Sequence, residues 1–378
     1  MSQRTFLSAF LALLGAAALA PAAAAFTPLT PEERAVKTAL TDLVRREDAA
    51  ILAGDGRRLR SVFLPGKASL PALGEALQRR AFLTAWSAAR GIELTSVAVS
   101  LRTPHIAFRA RDRAQVYAVV SEAYRYRYLP GGEGEGAFGL GVRHDYLLAR
   151  EGGRWYIRAD YFTDPLDQDT RIPSSAQPAT GATLPTAHPS PVPPHVANAA
   201  VQYADRYCGA APGCGNGGLY NSRYNNYNGD GGDCTNFISQ ALKAGGFRES
   251  GAWSYDWRLG EGSRAWSNAE GLRDYLDRSG RAELFAIGPY AALTRPTARF
   301  PAGAARALRE GDLITYVEGG AAVHTGIVVA YDARGAPLVD THTSDRYHVP
   351  WDLGWDRTTR YLLWHVAYPL PREATRAN

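Results

Sequence analysis

A stretch rich in proline, serine and threonine constrains the fold of this chain more than any other feature. Residues 166–195 include the run SSAQPATGATLPTAHPSPVPP, which has no apolar periodicity. Proline lacks a backbone N–H and favours extended polyproline conformations, so this composition is typical of a linker. The stretch therefore predicts two folded domains, residues 26–165 and 196–370. His188 and His195 belong to the linker and are predicted to be solvated.

Length and charge agree with this division and exclude one class of partner. The chain has 378 residues, of which 46% are hydrophobic, and this is enough for two cores. It carries 42 basic and 37 acidic residues, a formal net charge of +5, without a long basic run. Nucleic acid is therefore not expected as a partner, and no feature of the sequence indicates the oligomeric state.

The first 25 residues have the pattern of a secretory signal peptide. Arg4 precedes an apolar run from Phe6 to Ala20, and small residues follow up to Ala25. The apolar run is short for a membrane span, so we expect cleavage near Ala25. The alternative is an uncleaved anchor. The sequence thus predicts a secreted or periplasmic protein without stable membrane insertion.

The three cysteines of the chain divide into a pair and a single residue. Cys208 and Cys214 lie six residues apart in the loop YCGAAPGCGNGG, whereas Cys234 stands apart from them. The simplest pairing is a disulfide between Cys208 and Cys214 that leaves Cys234 free. The alternative, a zinc site, lacks the close cysteine spacing and the adjacent histidine that it needs. No metal and no cofactor are therefore expected.

Residues 26–165 are predicted to form an α+β domain. Apolar periodicity indicates two helices, Pro31 to Ala53 and Leu73 to Ala89. Alternating patterns then indicate four strands: Leu94 to Arg102, Gln115 to Tyr128, Gly141 to Glu151 and Trp155 to Tyr161. Helices followed by antiparallel strands predict helices on one face of a curved sheet. Three polar residues at strand ends are predicted to be structural or solvated: His105, His144 and Asp145.

The domain's order of elements, ending in GGRWYIRADYFTDP, resembles the cone-shaped α+β domains of the cystatin and nuclear-transport-factor type. This resemblance implies a fold and no catalytic site.

The run GGDCTNFIS, residues 231–239, indicates a reactive cysteine at the start of a helix. Apolar residues recur at helical spacing after Cys234, so this residue lies in the first turn. Asp233 is predicted to be the N-cap, and the free N–H groups with the helix dipole favour a thiolate on Cys234. The charge of Asp233 opposes that thiolate, so a histidinium is expected to complete its activation.

An aromatic segment follows this helix and precedes another helix, predicted from Ser267 to Arg278. Trp253, Trp257 and Trp266 either form the wall of a substrate groove or cover the core. The residue types fit both alternatives.

Three strands near the carboxyl end carry further polar residues. GDLITYVE and AVHTGIVVAY are followed by the turn DARG and then by PLVDTHTSD, which predicts a hairpin of the last two strands. Counting from the turn places the residue opposite His324 between His342 and Ser344, so His342 is the natural partner, with Asp340 on the same face one pleat away. Asp340 and Asp345 remain the alternatives for the third residue of a triad. Asp345 is predicted to cap the turn after the strand.

The motifs GGDCTNFISQAL, GDLITY, VHTGIVV and DTHTSD resemble the bacterial putative amidase domain family, over residues 196–365. This family is a branch of the papain-like cysteine hydrolases related to cell-wall peptidases. The resemblance implies a C-terminal papain-like cysteine hydrolase domain with Cys234 as nucleophile, His324 as base and His342 as the residue that orients the base.

The same residues support amide hydrolysis on chemical grounds. Cys234 would attack an amide carbonyl, and His324 would take the thiol proton and give it to the leaving amine. The backbone N–H of Cys234 and the side chain of Asn228, six residues upstream as in papain-like enzymes, are the predicted oxyanion donors. The expected substrate is a peptide or small amide, with cell-wall peptides as one candidate class. A transamidase and a non-catalytic binding module are the alternatives.

Overall fold

The computed structural model describes residues 28–129, 134–162, 178–180 and 196–369. The predicted signal peptide lies outside these ranges, and so does nearly all of the predicted linker, including His188 and His195. None of the helices within the described ranges is both long enough and apolar enough to cross a membrane.

The segment before the linker contains three helices followed by four long strands. Helix α1 begins after Thr30, whose hydroxyl accepts from the Glu33 N–H at 3.2 Å, and α3 ends at Gly91, which has a φ of 60°. The predicted helices and strands are confirmed, and each strand extends beyond the alternating run from which it was predicted. The elements are α1 (Pro31–Leu52), α2 (Gly56–Arg60), α3 (Leu70–Arg90), β1 (Ile92–Ala110), β2 (Arg113–Tyr128), β3 (Glu135–Glu151) and β4 (Arg154–Phe162).

The segment after the linker alternates helices and short strands before it ends in a run of strands. Its helices are α4 (Val196–Tyr207), α5 (Cys234–Ala244), α6 (Arg264–Ser267), α7 (Ala269–Ser279) and α8 (Tyr290–Thr294). Its strands are β5 (Tyr255–Asp256), β6 (Glu261–Gly262), β7 (Ala282–Pro289), β8 (Leu313–Glu318), β9 (Ala321–Tyr331), β10 (Pro337–Thr341), β11 (Asp345–Pro350) and β12 (Arg360–Val366). The predicted hairpin of β9 and β10 is confirmed.

One antiparallel sheet of ten strands runs through both segments. Its order is β1-β2-β3-β11-β10-β9-β8-β12-β7, and β4 pairs with β3. The two segments meet where β3 pairs with β11, at Gly141 with Asp345, Leu140 with Arg346 and Gly139 with Tyr347. The predicted α+β class is therefore confirmed, and the segments on either side of the linker are hydrogen bonded into one sheet.

Side chains also join the two segments. The carboxylate of Asp352 accepts from the Trp86 indole N–H at 2.9 Å and from Arg90 Nε at 2.9 Å. Val349 and Leu353 pack into the core formed by α1, α3 and the first four strands. Because apolar burial and a buried ion pair both cross the junction, the segments support each other's folding.

The C-terminal part of the sheet has a separate core on each face. Ile327 of β9 packs with Phe237 of α5 on one face. Val328, the next residue, packs with Tyr316 of β8 on the other face. Since successive strand residues point to opposite faces and the pairing of β9 with β8 is regular from His324 to Ile327, Thr325 faces α5 and His324 faces the other core.

Candidate functional site

Two glycines bring the chain to Cys234 in a tight turn. Gly231 and Gly232 have φ values of 103° and 113°, a region that side chains with a Cβ rarely adopt. A Cβ on Gly232 would also lie 3.1 Å from the Thr343 hydroxyl. Cys234 then opens α5, as predicted, and is 7% exposed. Its sulfur is the free thiol of the chain's three cysteines.

The carboxylate of Asp233 does not cap α5, which corrects the sequence-based prediction. Asp233 occupies the N-cap position, but its side chain makes no capping hydrogen bond. Instead it accepts from the Tyr227 N–H and from the Asn236 side chain, both at 2.9 Å. Its other oxygen lies 2.6 Å from Nδ1 of His342. The carboxylate therefore ties the loop before α5, the first turn of α5 and His342 together.

His342 is held rigidly beside the start of α5. Its ring stacks between Tyr220 and Phe237, with centroid distances of 3.6 and 4.0 Å. Its Nε2 lies 2.6 Å from the carbonyl oxygen of Tyr207. Because a carbonyl oxygen can only accept, Nε2 carries a proton, and Nδ1 shares a proton with Asp233. Both ring nitrogens of His342 are thus engaged, and neither bonds to His324.

His324 lies on the other face of the sheet from α5. It pairs directly with Tyr316 across β8 and β9, and its ring contacts the Tyr316 and Trp355 rings at centroid distances of 5.6 and 5.5 Å. Its Nδ1 has no hydrogen-bond partner among the described residues. Burial, helped by the charge of Arg346, lowers the pKa of His324 to about 3. The ring is therefore neutral at physiological pH.

The predicted alignment of His342 with His324 is wrong for a structural reason. The pairing of β9 with β10 has a bulge after Leu338 and ends at Asp340 with Ile327, before either histidine is reached. The chain then turns at Thr343, whose φ is 80°. Because a bulge and a turn each break the two-residue alternation, counting from the hairpin turn cannot locate His342.

The environment of Cys234 favours the neutral thiol. Burial raises the pKa of this thiol and the charge of Asp233 raises it further, while hydrogen bonds from Thr235 and from the Thr325 backbone lower it less. The predicted thiolate paired with a histidinium is therefore not the resting state. The sulfur does lie against the Thr325 N–H, one residue from His324, at the point where β10 stops pairing with β9.

Sequence reasoning missed Tyr220 and Arg143, which support this arrangement. The Tyr220 hydroxyl donates to Asp345 and accepts from the Asn228 side chain at 3.1 Å. Arg143 of β3 donates to the Tyr220 hydroxyl at 2.9 Å and to the Thr343 carbonyl at 3.2 Å. The tyrosine-rich run around Tyr220 was visible in the sequence, whereas nothing marked Arg143. The segment before the linker thus contributes directly to the site.

Asp345 was expected to cap a turn, and the structure gives it a different role. It is fully buried and accepts from the Ala210 N–H at 2.7 Å and from Arg143 at 3.2 Å. These bonds anchor the disulfide loop, Tyr220 and β11 to one another.

Comparison with known proteins agrees with the chemistry of this site. The sequence matches the family model described as "Putative amidase domain" over residues 195–364. An uncharacterized protein of Bacillus subtilis, YhbB, is 31% identical over 187 residues, which cover 46% of this chain and 51% of that protein. The chain therefore spans about half the length of this curated relative.

Two solved structures are similar to part of the chain. One is the intermembrane space region of the chloroplast protein ARC6, with 17% identity, a TM-score of 0.24 and coverage of 33% of this chain and 95% of that chain. The other is an NTF-2-like protein of unknown function from Shewanella oneidensis, with 13% identity, a TM-score of 0.18 and coverage of 33% and 96%.

Two of the three predicted groove tryptophans lie in the core around α5. Trp253 and Trp266 are fully buried, and their indole N–H groups donate to Ser239 at 2.9 Å and to Asn236 at 2.8 Å. They therefore pack in the core against α5, as the second of the two alternatives predicted. Trp257 is 46% exposed and remains available to a ligand.

A surface cleft of about 680 Å³ opens beside Tyr220. Both segments line it, and its lining includes three basic side chains and no acidic one among the described residues. The cleft lining includes Lys37, Arg102, Arg143, Leu219, Tyr220 and Asn226.

The remaining predictions have clear outcomes. The disulfide between Cys208 and Cys214 is confirmed. His144 is buried with Nδ1 at 2.7 Å from Asp160, and Asp145 accepts from Gln115 at 2.7 Å, so both are structural. His105 is exposed. Asp340 lies apart from the two histidines of the predicted triad, with its carboxylate toward α4 and β11.

Proposed function

We propose that this protein is a cysteine amidohydrolase or peptidase that cleaves amide bonds with the thiol of Cys234. The match of residues 195–364 to an amidase family supports amide hydrolysis in general. The observation that carries the cysteine mechanism is a free thiol in the first turn of α5 within that segment. N–H groups at a helix start can stabilise charge that develops on a sulfur or on an attacked carbonyl.

In the proposed reaction the thiol loses its proton as it attacks. Its pKa is raised by burial, so proton removal and carbon–sulfur bond formation occur together. The amide carbonyl becomes a tetrahedral oxyanion, which collapses with loss of the amine and leaves a thioester on Cys234. Water then attacks the thioester, releases the carboxylic acid and returns the proton to the sulfur.

His324 is the proposed proton acceptor. Its ring is neutral because burial holds its pKa at about 3, and its Nδ1 is unpartnered among the described residues. The sulfur lies against the N–H of the neighbouring residue, Thr325. Because the His324 ring packs on the face of the sheet away from α5, the proposed proton transfer requires a rearrangement of β9 around Thr325. His342 is instead a positioning residue, since its two nitrogens hold Asp233 and Tyr207.

The oxyanion donors in this proposal are backbone groups at the start of α5, with the N–H of Cys234 first among them. Asn228 is a poorer donor than the sequence suggested, because one of its two amide N–H groups already donates to Tyr220 at 3.1 Å, which fixes the orientation of the other. A papain-like relationship would account for a nucleophile at a helix start that packs on an antiparallel sheet.

The proposed substrate is a peptide or small amide, with cell-wall peptides as one class. The basic lining of the cleft beside Tyr220 favours substrates that carry a carboxylate. We also propose that the protein acts outside the cytoplasm. A disulfide between Cys208 and Cys214 persists in oxidising compartments and supports that location.

The test is a panel of peptidoglycan fragments, acidic and neutral peptides and small amides, with products identified by mass spectrometry. We expect Cys234→Ala and Cys234→Ser to lower the cleavage rate by roughly 10⁴-fold or more while the fold is retained. The matched control, Cys208→Ser with Cys214→Ser, should keep cleavage and lower the free energy of unfolding by about 2 kcal/mol.

Two results would separate the alternatives. Cleavage that survives in Cys234→Ala would refute the cysteine mechanism. Binding of a panel member without any product, in a protein with an unmodified thiol, would instead indicate a binding module. A competing amine that is incorporated into the acyl product would identify a transamidase.

The two histidines are separable by kinetics. His324→Ala should lower the rate of acylation under single-turnover conditions by at least about 10²-fold. His342→Ala should act by loosening α5, so it should lower stability together with activity. Equal loss of acylation in a fully folded His342→Ala, with His324→Ala unaffected, would reverse these assignments.

A further inference from the structure

Three side chains, from α4, β10 and β11, lie close together. Asp205 of α4, Asp340 of β10 and His348 of β11 each offer an oxygen or nitrogen atom, and these atoms all lie within 4.8 Å of one another. His348 Nε2 lies 3.0 Å from Asp205 Oδ1. Asp340 and His348 are eight residues apart on neighbouring strands, and the tertiary fold brings Asp205 to them from 143 residues before His348.

One of these side chains has an unsatisfied oxygen. Asp340 is fully buried, and its Oδ1 accepts from the His348 N–H at 2.8 Å. Its Oδ2 has no hydrogen-bond partner among the described residues. A buried carboxylate oxygen without a partner is costly, and here a second carboxylate lies beside it. A proton shared between Asp340 and Asp205, or a bound cation in its place, would compensate these two charges.

We propose that Asp205, Asp340 and His348 bind a divalent transition-metal ion, with Zn²⁺ as the best match. Two carboxylate oxygens and one imidazole nitrogen are typical ligands of Zn²⁺, whereas Mg²⁺ and Ca²⁺ prefer oxygen alone. The 3.0 Å between the Asp205 and His348 atoms is close to the spacing of two ligands on one tetrahedral ion.

The surroundings suit an ion that enters from solvent. The side chains of Asp205 and His348 are 36% and 24% exposed, which leaves an open side for entry and for a water ligand. The His348 ring stacks on Tyr347 at a centroid distance of 3.9 Å, so its orientation is fixed before an ion binds.

The site would stabilise the structure around the proposed nucleophile without touching it. Asp205 lies in the last turn of α4, two residues before Tyr207, whose carbonyl oxygen contacts His342. The Asp205 carbonyl also accepts from the Gly215 N–H at 2.9 Å, within the disulfide loop. An ion at this site would therefore join α4, that loop and the β10–β11 hairpin.

The experiment uses the full chain after treatment with a chelator, titrated with Zn²⁺ by calorimetry. We expect one Zn²⁺ per chain at this site and a rise in melting temperature on binding. Asp340→Asn and His348→Gln should each weaken binding by at least about 100-fold, because each loses a direct ligand. Asp340→Asn keeps an oxygen for the His348 N–H, and His348→Gln alters a partly exposed residue, so folding can be checked independently.

Two controls make the outcome decisive. Asp160→Asn removes the carboxylate of another aspartate–histidine pair, His144 with Asp160, and should leave Zn²⁺ binding unchanged. Cys234→Ala removes the free thiol as a rival ligand and should also leave it unchanged. Binding that Asp340→Asn and His348→Gln both leave intact would overturn the proposal. So would absence of binding to the wild-type chain, in which case the two carboxyl groups share a proton instead. Neither result bears on amide cleavage.

Discussion

Replacement of Asp233 by alanine tests whether its carboxylate holds the start of α5. Asp233 and His342 are each 1% exposed and lie 2.6 Å apart. Removal of one partner from such a buried pair typically costs about 3–5 kcal/mol, because the other partner is left without compensation. We therefore expect Asp233→Ala to lower the free energy of unfolding by about 3–5 kcal/mol.

Asp233→Asn separates the hydrogen bonds from the charge. In the wild type, the Asp233 carboxylate accepts from the Tyr227 N–H and from the Asn236 side chain, both at 2.9 Å. The amide oxygen of an asparagine can accept from the same two donors. The amide N–H can donate to Nδ1 of His342, whose Nε2 keeps its proton on the Tyr207 carbonyl. Since every group then has a partner, we expect this variant to lose only about 1 kcal/mol.

The assay is urea unfolding of the full chain followed by tryptophan fluorescence. Native-state alkylation of Cys234 by iodoacetamide provides the local readout, and it should accelerate in Asp233→Ala. The control is Asp160→Ala, which breaks the pair with His144, 2.7 Å apart, and should leave the alkylation rate unchanged. A loss below about 1 kcal/mol in Asp233→Ala, or equal losses for alanine and asparagine, would refute the reasoning.

Two further predictions concern protonation. Because burial raises the pKa of Cys234, its alkylation rate should rise with pH through a midpoint above that of N-acetylcysteine measured in parallel. A midpoint below that of N-acetylcysteine would contradict a neutral thiol in the resting state. His324 has a folded-state pKa of about 3 against 6.5 as a free side chain, so protons favour the unfolded state below pH 6.5. The stabilisation that comes from keeping this ring neutral should be complete above pH 6.5 and should be lost progressively down to about pH 3. The free energy of unfolding should change by about 5 kcal/mol across this range. Wild type and His324→Gln should therefore converge or cross in urea stability across this window, and parallel curves would show that the ring is not buried neutral.

Much of the fold was predictable because it depends on local patterns. The helix from Pro31 follows from Thr30 and the apolar spacing after it, and the β9–β10 hairpin follows from two alternating runs around a turn. The disulfide follows from the short spacing of Cys208 and Cys214. Cys234 at the start of α5 follows from the glycines before it and the periodicity after it.

The candidate site was predictable in its residues and less so in its contacts. His342 was identified, but its partner is Asp233 rather than His324, because a bulge and a turn change the register after Leu338. Trp253 and Trp266 were predicted to line a groove or to cover the core, and they lie in the core; residue type alone does not distinguish the two.

The sequence by itself determined many of the elements, the disulfide and the position of the free thiol, since each depends on residues a few positions apart. Only the tertiary structure decided that β3 pairs with β11, that Arg143 reaches Tyr220, and that Asp205, Asp340 and His348 meet. Alternation shows that a strand has two faces, but the packing of the whole chain decides what covers each face. Contacts between residues more than a hundred positions apart depend on that packing and leave no local pattern in the sequence.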